Sequence, residues 1–175
     1  MATIVQEGTA VLRKPAHPVP EKLFGTEELS RMVADMADAL DPEEDGVALA
    51  APQISLPYRI FIVREDRVLP TPPSGMPPRA PHVAVYINPE IMKTSRKRQK
   101  ADEGCLSVRG VYGTTHRHAR VTIRARREDG STFERGAGGL MAQIFEHEMD
   151  HLEGVLFIDH AEDMVEIPHP HAARA

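Results

Sequence analysis

With 175 residues, 41% of them apolar and 27% charged, the chain can enclose a packed core and has no signature of a disordered or fibrous polypeptide. A net charge of -5 supplies no global field for nucleic acid, and no apolar run approaches the ~20 residues of a membrane helix. One cysteine, Cys105, excludes an internal disulfide, and Met1 to Glu7 lack the basic start and apolar stretch of an export signal. A cytoplasmic location is therefore expected, with neither a membrane nor a specific nucleic acid as partner.

The stretch up to Gly25 carries Pro15, Pro18 and Pro20 and reads as extended chain laid over a core. From Thr26, a candidate N-cap, Leu29, Met32, Val33, Met36, Ala37 and Leu40 recur at helical spacing until Asp41-Pro42 stops the pattern. Tyr58 to Val63 and Val83 to Ile87 are short β-branched and aromatic runs, hence strands. Six prolines between Pro70 and Pro81 predict a surface loop. Arg120 to Arg127, Asp129-Gly130 and Ser131 to Glu134 read as a β-hairpin, and Gly136-Ala137-Gly138-Gly139 as a break.

Leu140 to Glu153 is the second predicted helix. Leu140, Ile144, His147 and His151 share one stripe, and Met141, Phe145, Glu148 and Leu152 share the next. A helix apolar over so much of its circumference belongs at the centre of a fold. Gly154 suits its C-terminal cap. No repeats or linkers divide the chain, so one domain over residues 1–175 is expected, with a core of about 4–160 and a short acidic tail over 161–175.

That helix carries His147-Glu148-Met149-Asp150-His151. At about 3.6 residues per turn, two histidines four apart share a face and can converge on one metal ion, with Glu148 beside them to handle protons. A third protein ligand is needed. Downstream stand Glu153, His160, Glu162, Glu166, His169 and His171, but position 157 is Phe, which breaks the HExxHxxGxxH spacing. Cys105, in Glu103-Gly104-Cys105-Leu106-Ser107, is the stronger candidate. One thiolate and two imidazoles suit Fe(II), Zn(II), Co(II) or Ni(II).

Three segments together resemble the peptide deformylases: Gly46-Val47-Ala48-Leu49-Ala50-Ala51-Pro52-Gln53, Glu103 to Ser107, and His147 to Gly154. They occur in the family's order, and the resemblance covers about residues 4–160, with Ile87-Asn88-Pro89 and Leu156 to Asp159 also fitting. It implies an α+β fold in which antiparallel sheets surround a central metal-binding helix. It also implies hydrolysis of the N-formyl group on the N-terminal formylmethionine of nascent polypeptides. Cys105, His147 and His151 would bind one divalent ion, Fe(II) in the cell, with Zn(II) a poorer substitute. Glu148 would be the general base and then acid, while the Gln53 amide and the Leu106 backbone N–H would hold the oxyanion. Gly46, Val47, Ala48, Gly104, Leu140 and Ile144 would bind substrate, and Glu103, paired with Arg117, would brace the ligands.

The chain departs from that pattern in places. Ala48 stands where the family has glycine, which predicts crowding of the substrate and a demand for negative φ. An idle deformylase-like metal protein is the first alternative, and an HExxH zinc peptidase the second. Arg109 stands where proline is common, which predicts a less rigid loop. Lys93, Arg96, Lys97, Arg98 and Lys100 form the one basic run, read as a solvated strand end or loop; any ribosome contact is expected to be transient. His17, His82, His116, His118 and His160 read as ordinary structural or surface residues.

Overall fold

In a computed structural model, residues 2–70, 72–77 and 79–167 are described. Two short 3-10 turns, Ala10–Arg13 and Glu21–Leu23, interrupt the extended N-terminal segment. The first helix, α1 (Glu27–Leu40), starts where the pattern predicts: Thr26 Oγ1 accepts the Leu29 N–H at 3.3 Å, and Glu27 and Glu28 occupy the first turn. It leads through a loop to β1 (Ala48–Ala50), a 3-10 turn (Ala51–Ile54) and β2 (Ile60–Arg64). A short helix, α2 (Glu65–Val68), precedes the proline-rich segment, whose described residues form neither helix nor strand.

The remaining elements are β3 (Val83–Thr94), β4 (Arg98–Cys105), β5 (Val108–His118), β6 (Arg120–Arg126), β7 (Thr132–Gly138), α3 (Gly139–Leu152), a 3-10 turn at Phe157–Asp159, and β8 (Glu162–Glu166). The strands form a five-stranded sheet in the order β1-β2-β3-β6-β7 and a three-stranded sheet β4-β5-β8. Every strand pairing within them is antiparallel. This is the expected α+β fold.

The pattern of β2 explains the layering. All five of its residues are buried, with Phe61 and Val63 packing in the cluster around α3 and Ile60 and Ile62 in the cluster under α1. A strand covered on both faces reads as a continuous apolar run. The sheet is therefore sandwiched between α1 and α3, with Phe145 of α3 centred on Phe61 and Tyr86. The smaller sheet meets α3 from the other side, where Leu12, Val108, Leu156 and Phe157 fill a third cluster. The central position of α3 follows from its apolar circumference.

Gly154 ends α3 at φ +75°, and a Cβ there would come within 2.7 Å of the Arg13 backbone, so both conformation and space demand glycine.

Three predictions about local structure need correction. Gly136 to Gly138 do not break the chain; they complete β7, paired with Thr122, Val121 and Arg120, and the turn into α3 falls at Gly139, φ +57°. The ladder to β6 overrides the glycines' weak strand propensity. The acidic segment after Asp159 is not merely a tail, because Val111 and Tyr112 of β5 pair with Glu166 and Val165 and so recruit it as β8. Leu140 does not join the buried stripe; it is half exposed at the first turn of α3. The basic run falls as expected at the end of β3, its turn and the start of β4, all five cations exposed. His169 and His171 lie outside the described residues.

Asp66 of α2 accepts from Arg64 at 2.9 Å and from the His82 N–H at 3.0 Å. These bonds, the Arg64 bond foremost, lower its pKa from 3.8 to about 2. Because folding lowers the pKa, the stabilisation is complete above about pH 4 and disappears as pH falls toward 2. Asp66→Asn should cost on the order of 2 kcal/mol in urea unfolding at pH 7, at about 1.4 kcal/mol per pKa unit. The gap from the parent should close as the titration is taken down toward pH 2.

Candidate active site

Two elements supply the candidate metal ligands. His147 and His151 sit one turn apart on α3, their ring centroids 5.0 Å apart. Cys105 ends β4, its Sγ 3.2 Å from His151 Nε2. One donor atom from each of the three residues lies within 4.8 Å of the others, close enough to share an ion. A thiolate with two imidazoles is a donor set for a borderline-soft divalent metal. Buried polar atoms are normally satisfied, yet Glu148 Oε2 and His151 Nδ1 are both buried here with no protein partner. Orphans clustered beside three convergent donors fit a site built to hold an ion and water.

The carboxylate of Glu103 organises these ligands. It is 4% exposed and accepts from Arg117 Nε at 2.6 Å, Arg117 Nη2 at 2.9 Å, Thr115 Oγ1 at 2.7 Å and His147 Nδ1 at 3.0 Å. The bond from Nδ1 orients the His147 ring, so that Nε2 is the nitrogen that would face a metal. Phe157 stacks near the same ring at 6.3 Å. Arg117 continues outward to Asp150 at 2.7 Å, and Asp150 to His160 at 3.2 Å.

Burial works against the charged form of all these groups, but their neighbours differ. For Glu103, burial raises the pKa, and Arg117 and His147 more than reverse it, holding the group well below the usual carboxylate range. For His147, burial lowers the pKa while the bonds to Cys105 and Glu103 win, so the ring is raised. Burial pushes His151 well down, and His147 adds to the effect. Burial pushes Glu148 up to about 7, against the pull of His147.

Gln53 faces the site from the 3-10 turn after β1 and is 2% exposed. Its Oε1 accepts the Ala50 N–H at 2.8 Å, while its Nε2 donates to Ser107 Oγ at 3.1 Å and approaches Cys105 Sγ at 3.6 Å. One end thus satisfies the turn, and the other presents an N–H beside the thiol. A cleft of about 250 Å³ joins these parts, lined among others by Gly46, Val47 and Ala48 before and in β1, by Gln53, by Cys105 and Leu106 at the β4–β5 turn, and by Leu140, Ile144, His147 and Glu148 of α3.

The chain matches the Polypeptide deformylase family over residues 1–166. The chain belongs to that family. It is 38% identical over 162 residues to the peptide deformylase of Thermomicrobium roseum, covering 92% of this chain and 86% of that one. It is 32% identical to the chloroplastic peptide deformylase 1A of Solanum lycopersicum, covering 91% of this chain but 59% of that longer protein. Among solved structures, the class I type b peptide deformylase of Acinetobacter baumannii bound to Met-Ala-Ser superposes with a TM-score of 0.78 at 30% identity, covering 91% and 98% of the two chains.

Within the deformylase fold, Ala48 is strand backbone paired with Val63, and it is absent from the residues of positive φ. Its side chain is buried in the cluster around α3. The predicted conformational conflict is therefore not found. Gly104 is needed for space, since a Cβ there would lie 2.7 Å from the Tyr112 ring. Arg109 does not loosen its loop; it grips Glu43 with both arms, at 3.0 and 2.7 Å. Sequence reasoning missed Ser107, Thr115, Asp150 and the His160 and His118 contacts, because a hydrogen-bond partner across a sheet leaves no local pattern. Of these, only Ser107 and Asp150 stood inside quoted motifs.

Glu103→Gln should destabilise the protein by about 3 kcal/mol, because Arg117 would keep its buried charge with Asp150 alone. It should also weaken Zn(II) binding about 10–100-fold through His147. Urea unfolding and competition with a chromophoric chelator would read the two effects.

Proposed function

We propose that the protein hydrolyses the N-formyl group of formylmethionine at the start of newly made polypeptides, with Cys105, His147 and His151 holding the metal. The observation that carries this reading is the meeting, in one cleft, of Cys105, the Gln53 amide and the Glu148 carboxylate, whose Oε2 is buried with no partner. A divalent ion bound there supplies Lewis acidity and an acidified water. Fe(II) is our choice for the cell, on the resemblance of the three motifs; Zn(II), Ni(II) and Co(II) suit the same donors.

The protein's own residues handle the rest. Glu148 takes a proton as water adds to the formyl carbon. It then delivers that proton to the amine as the C–N bond breaks and formate departs. The Gln53 N–H and the backbone N–H of Leu106 steady the oxygen that becomes negative; one such donor is typically worth about 3 kcal/mol. Gly46, Val47 and Ala48 run along the cleft where an extended peptide can lie, and β1 ends its sheet with one edge unpaired among the described residues. Val47, Gly104, Leu140 and Ile144 shape the pocket for the methionine side chain; half-exposed Leu140 stands at its mouth. The Acinetobacter baumannii relative binds a peptide that begins with methionine, the residue a deformylated chain would expose.

Action on nascent chains places the protein in the cytoplasm, and a passing ribosome contact is all it requires. No helix among the described residues is long and apolar enough to cross a membrane. Residues 1–175 are read as one catalytic unit. The peptidase alternative loses support because the third donor beside His147 and His151 is Cys105, upstream of the motif.

Protein loaded anaerobically with Fe(II) or Ni(II) should release free amine from a formylmethionyl peptide and leave an unformylated peptide intact. Release no greater than in the metal-free control would overturn the proposal. Glu148→Ala should keep its metal while turnover falls about a thousandfold. Cys105→Ala should lose most of its metal, as measured by elemental analysis after desalting; full retention would refute the ligand assignment.

A further inference from the structure

The loop between α1 and β1 is fastened from two directions. On one side Arg67 of α2 donates to the carbonyls of Asp41 at 2.8 Å, Glu43 at 2.7 Å and Gly46 at 2.7 Å, with a longer contact to Leu40 at 3.4 Å. This gathers the loop onto its own sheet. On the other side, the Glu43 carboxylate leaves the loop and meets Arg109 of β5, each oxygen taking one guanidinium arm. The two side chains are 24% and 30% exposed, so the pair is partly shielded from water.

That second attachment spans the cleft. Arg109 lines it from the β5 wall, and Gly46, Val47 and Ala48 line it from the β1 wall, three to five residues beyond Glu43. The walls also touch at Gly46, where a Cβ would lie 3.0 Å from Leu106 Cδ1 and 2.8 Å from Leu40 Cδ1. Arg67 needs no help to hold the loop to the larger sheet. A bidentate pair reaching across to β5 adds a constraint between the two walls that Arg67 cannot supply.

We infer that Glu43 and Arg109 are positioning residues: their ion pair is a clasp that sets the spacing between the peptide-binding edge at Gly46–Ala48 and the β4–β5 turn at Leu106–Ser107. The inference rests on the deformylase reading of the cleft. Its chemistry is peptide recognition, since the pair joins the loop before β1 to β5 and the donor set is Cys105, His147 and His151. Opening the clasp lets the edge strand drift from the turn, which weakens substrate binding and leaves the reacting groups on α3 in place.

Two readouts test it. In Glu43→Gln and Arg109→Ala, hydrogen–deuterium exchange of the metal-free protein should rise at residues 46–48 and stay unchanged in α1. In the metal-loaded enzyme, KM for a formylmethionyl tripeptide should rise about fivefold with kcat within about twofold, the pattern of lost uniform binding. The charge-swapped double variant, Glu43→Arg with Arg109→Glu, should recover most of both effects. Unchanged exchange at 46–48 in the single variants would overturn the clasp, as would a fall in kcat at constant KM. Parent protein that releases no amine would sink the deformylase reading instead, and the exchange arm would still decide whether the clasp holds the two walls.

Discussion

A buried carboxylate that accepts four hydrogen bonds joins the smaller sheet to the central helix. Glu103 belongs to β4, Thr115 and Arg117 to β5, and His147 to α3, so one side chain ties three elements together. Burying a lone carboxylate would cost several kcal/mol, and only this complement of donors offsets it. The donors satisfy the charge in one arrangement, which fixes the pitch of α3 against β4 as well as the orientation of the His147 ring. Cys105 lies two residues along the same strand, so whatever orients Glu103 also delivers the thiol to His151. The Glu-Gly-Cys spacing joins a structural clamp to a candidate ligand, and the intervening Gly104 leaves the opposite face free for the Tyr112 ring.

The acidic residues of α3 can be sorted on the same grounds. Glu146 bonds the His118 backbone and ring, at 2.7 and 2.6 Å, and Asp150 takes Arg117 and His160. Both serve to dock the helix against the strands. Glu148 is the most buried of the three, yet it keeps an oxygen with no partner, and desolvation pushes its pKa up toward neutrality. Three carboxylates at alternate positions on one helix are thus separated by what packs against them into two braces and the one proposed as proton carrier. A buried acid left incomplete is costly to stability, and such a cost points to work at the site.

Much of this was legible beforehand, for identifiable reasons. The two long helices announced themselves by periodicity and caps, and the hairpin of β6 and β7 by Asp129-Gly130 between alternating runs. The hairpin of β4 and β5 was not assigned from the sequence. Its inward positions include Glu103, Thr115 and Arg117, so the alternation that usually marks a half-buried strand is absent where the buried face is polar. The residues of the candidate site were visible as motifs, whereas the partners that orient them were dispersed. Ser107 beside Gln53, His160 beside Asp150 and Glu43 beside Arg109 become neighbours only when the sheets close.

The geometry of β1 bears on what kind of peptide the proposed reaction can accept. The strand is three residues long, and Gln53 follows it within a single 3-10 turn. A peptide laid on its open edge gains only a few backbone hydrogen bonds before the strand ends, and backbone pairing is indifferent to side-chain identity. Selectivity then falls on the pocket for the first side chain, while later residues are left largely unread. An enzyme that must process many different nascent chains needs that division. Ala48 is compatible with it: its methyl is buried toward α3, leaving the strand's backbone edge to the substrate. The glycine common in the family is therefore dispensable at this position as far as backbone conformation is concerned, and the constraint on substrate passage shifts to the spacing of the cleft walls.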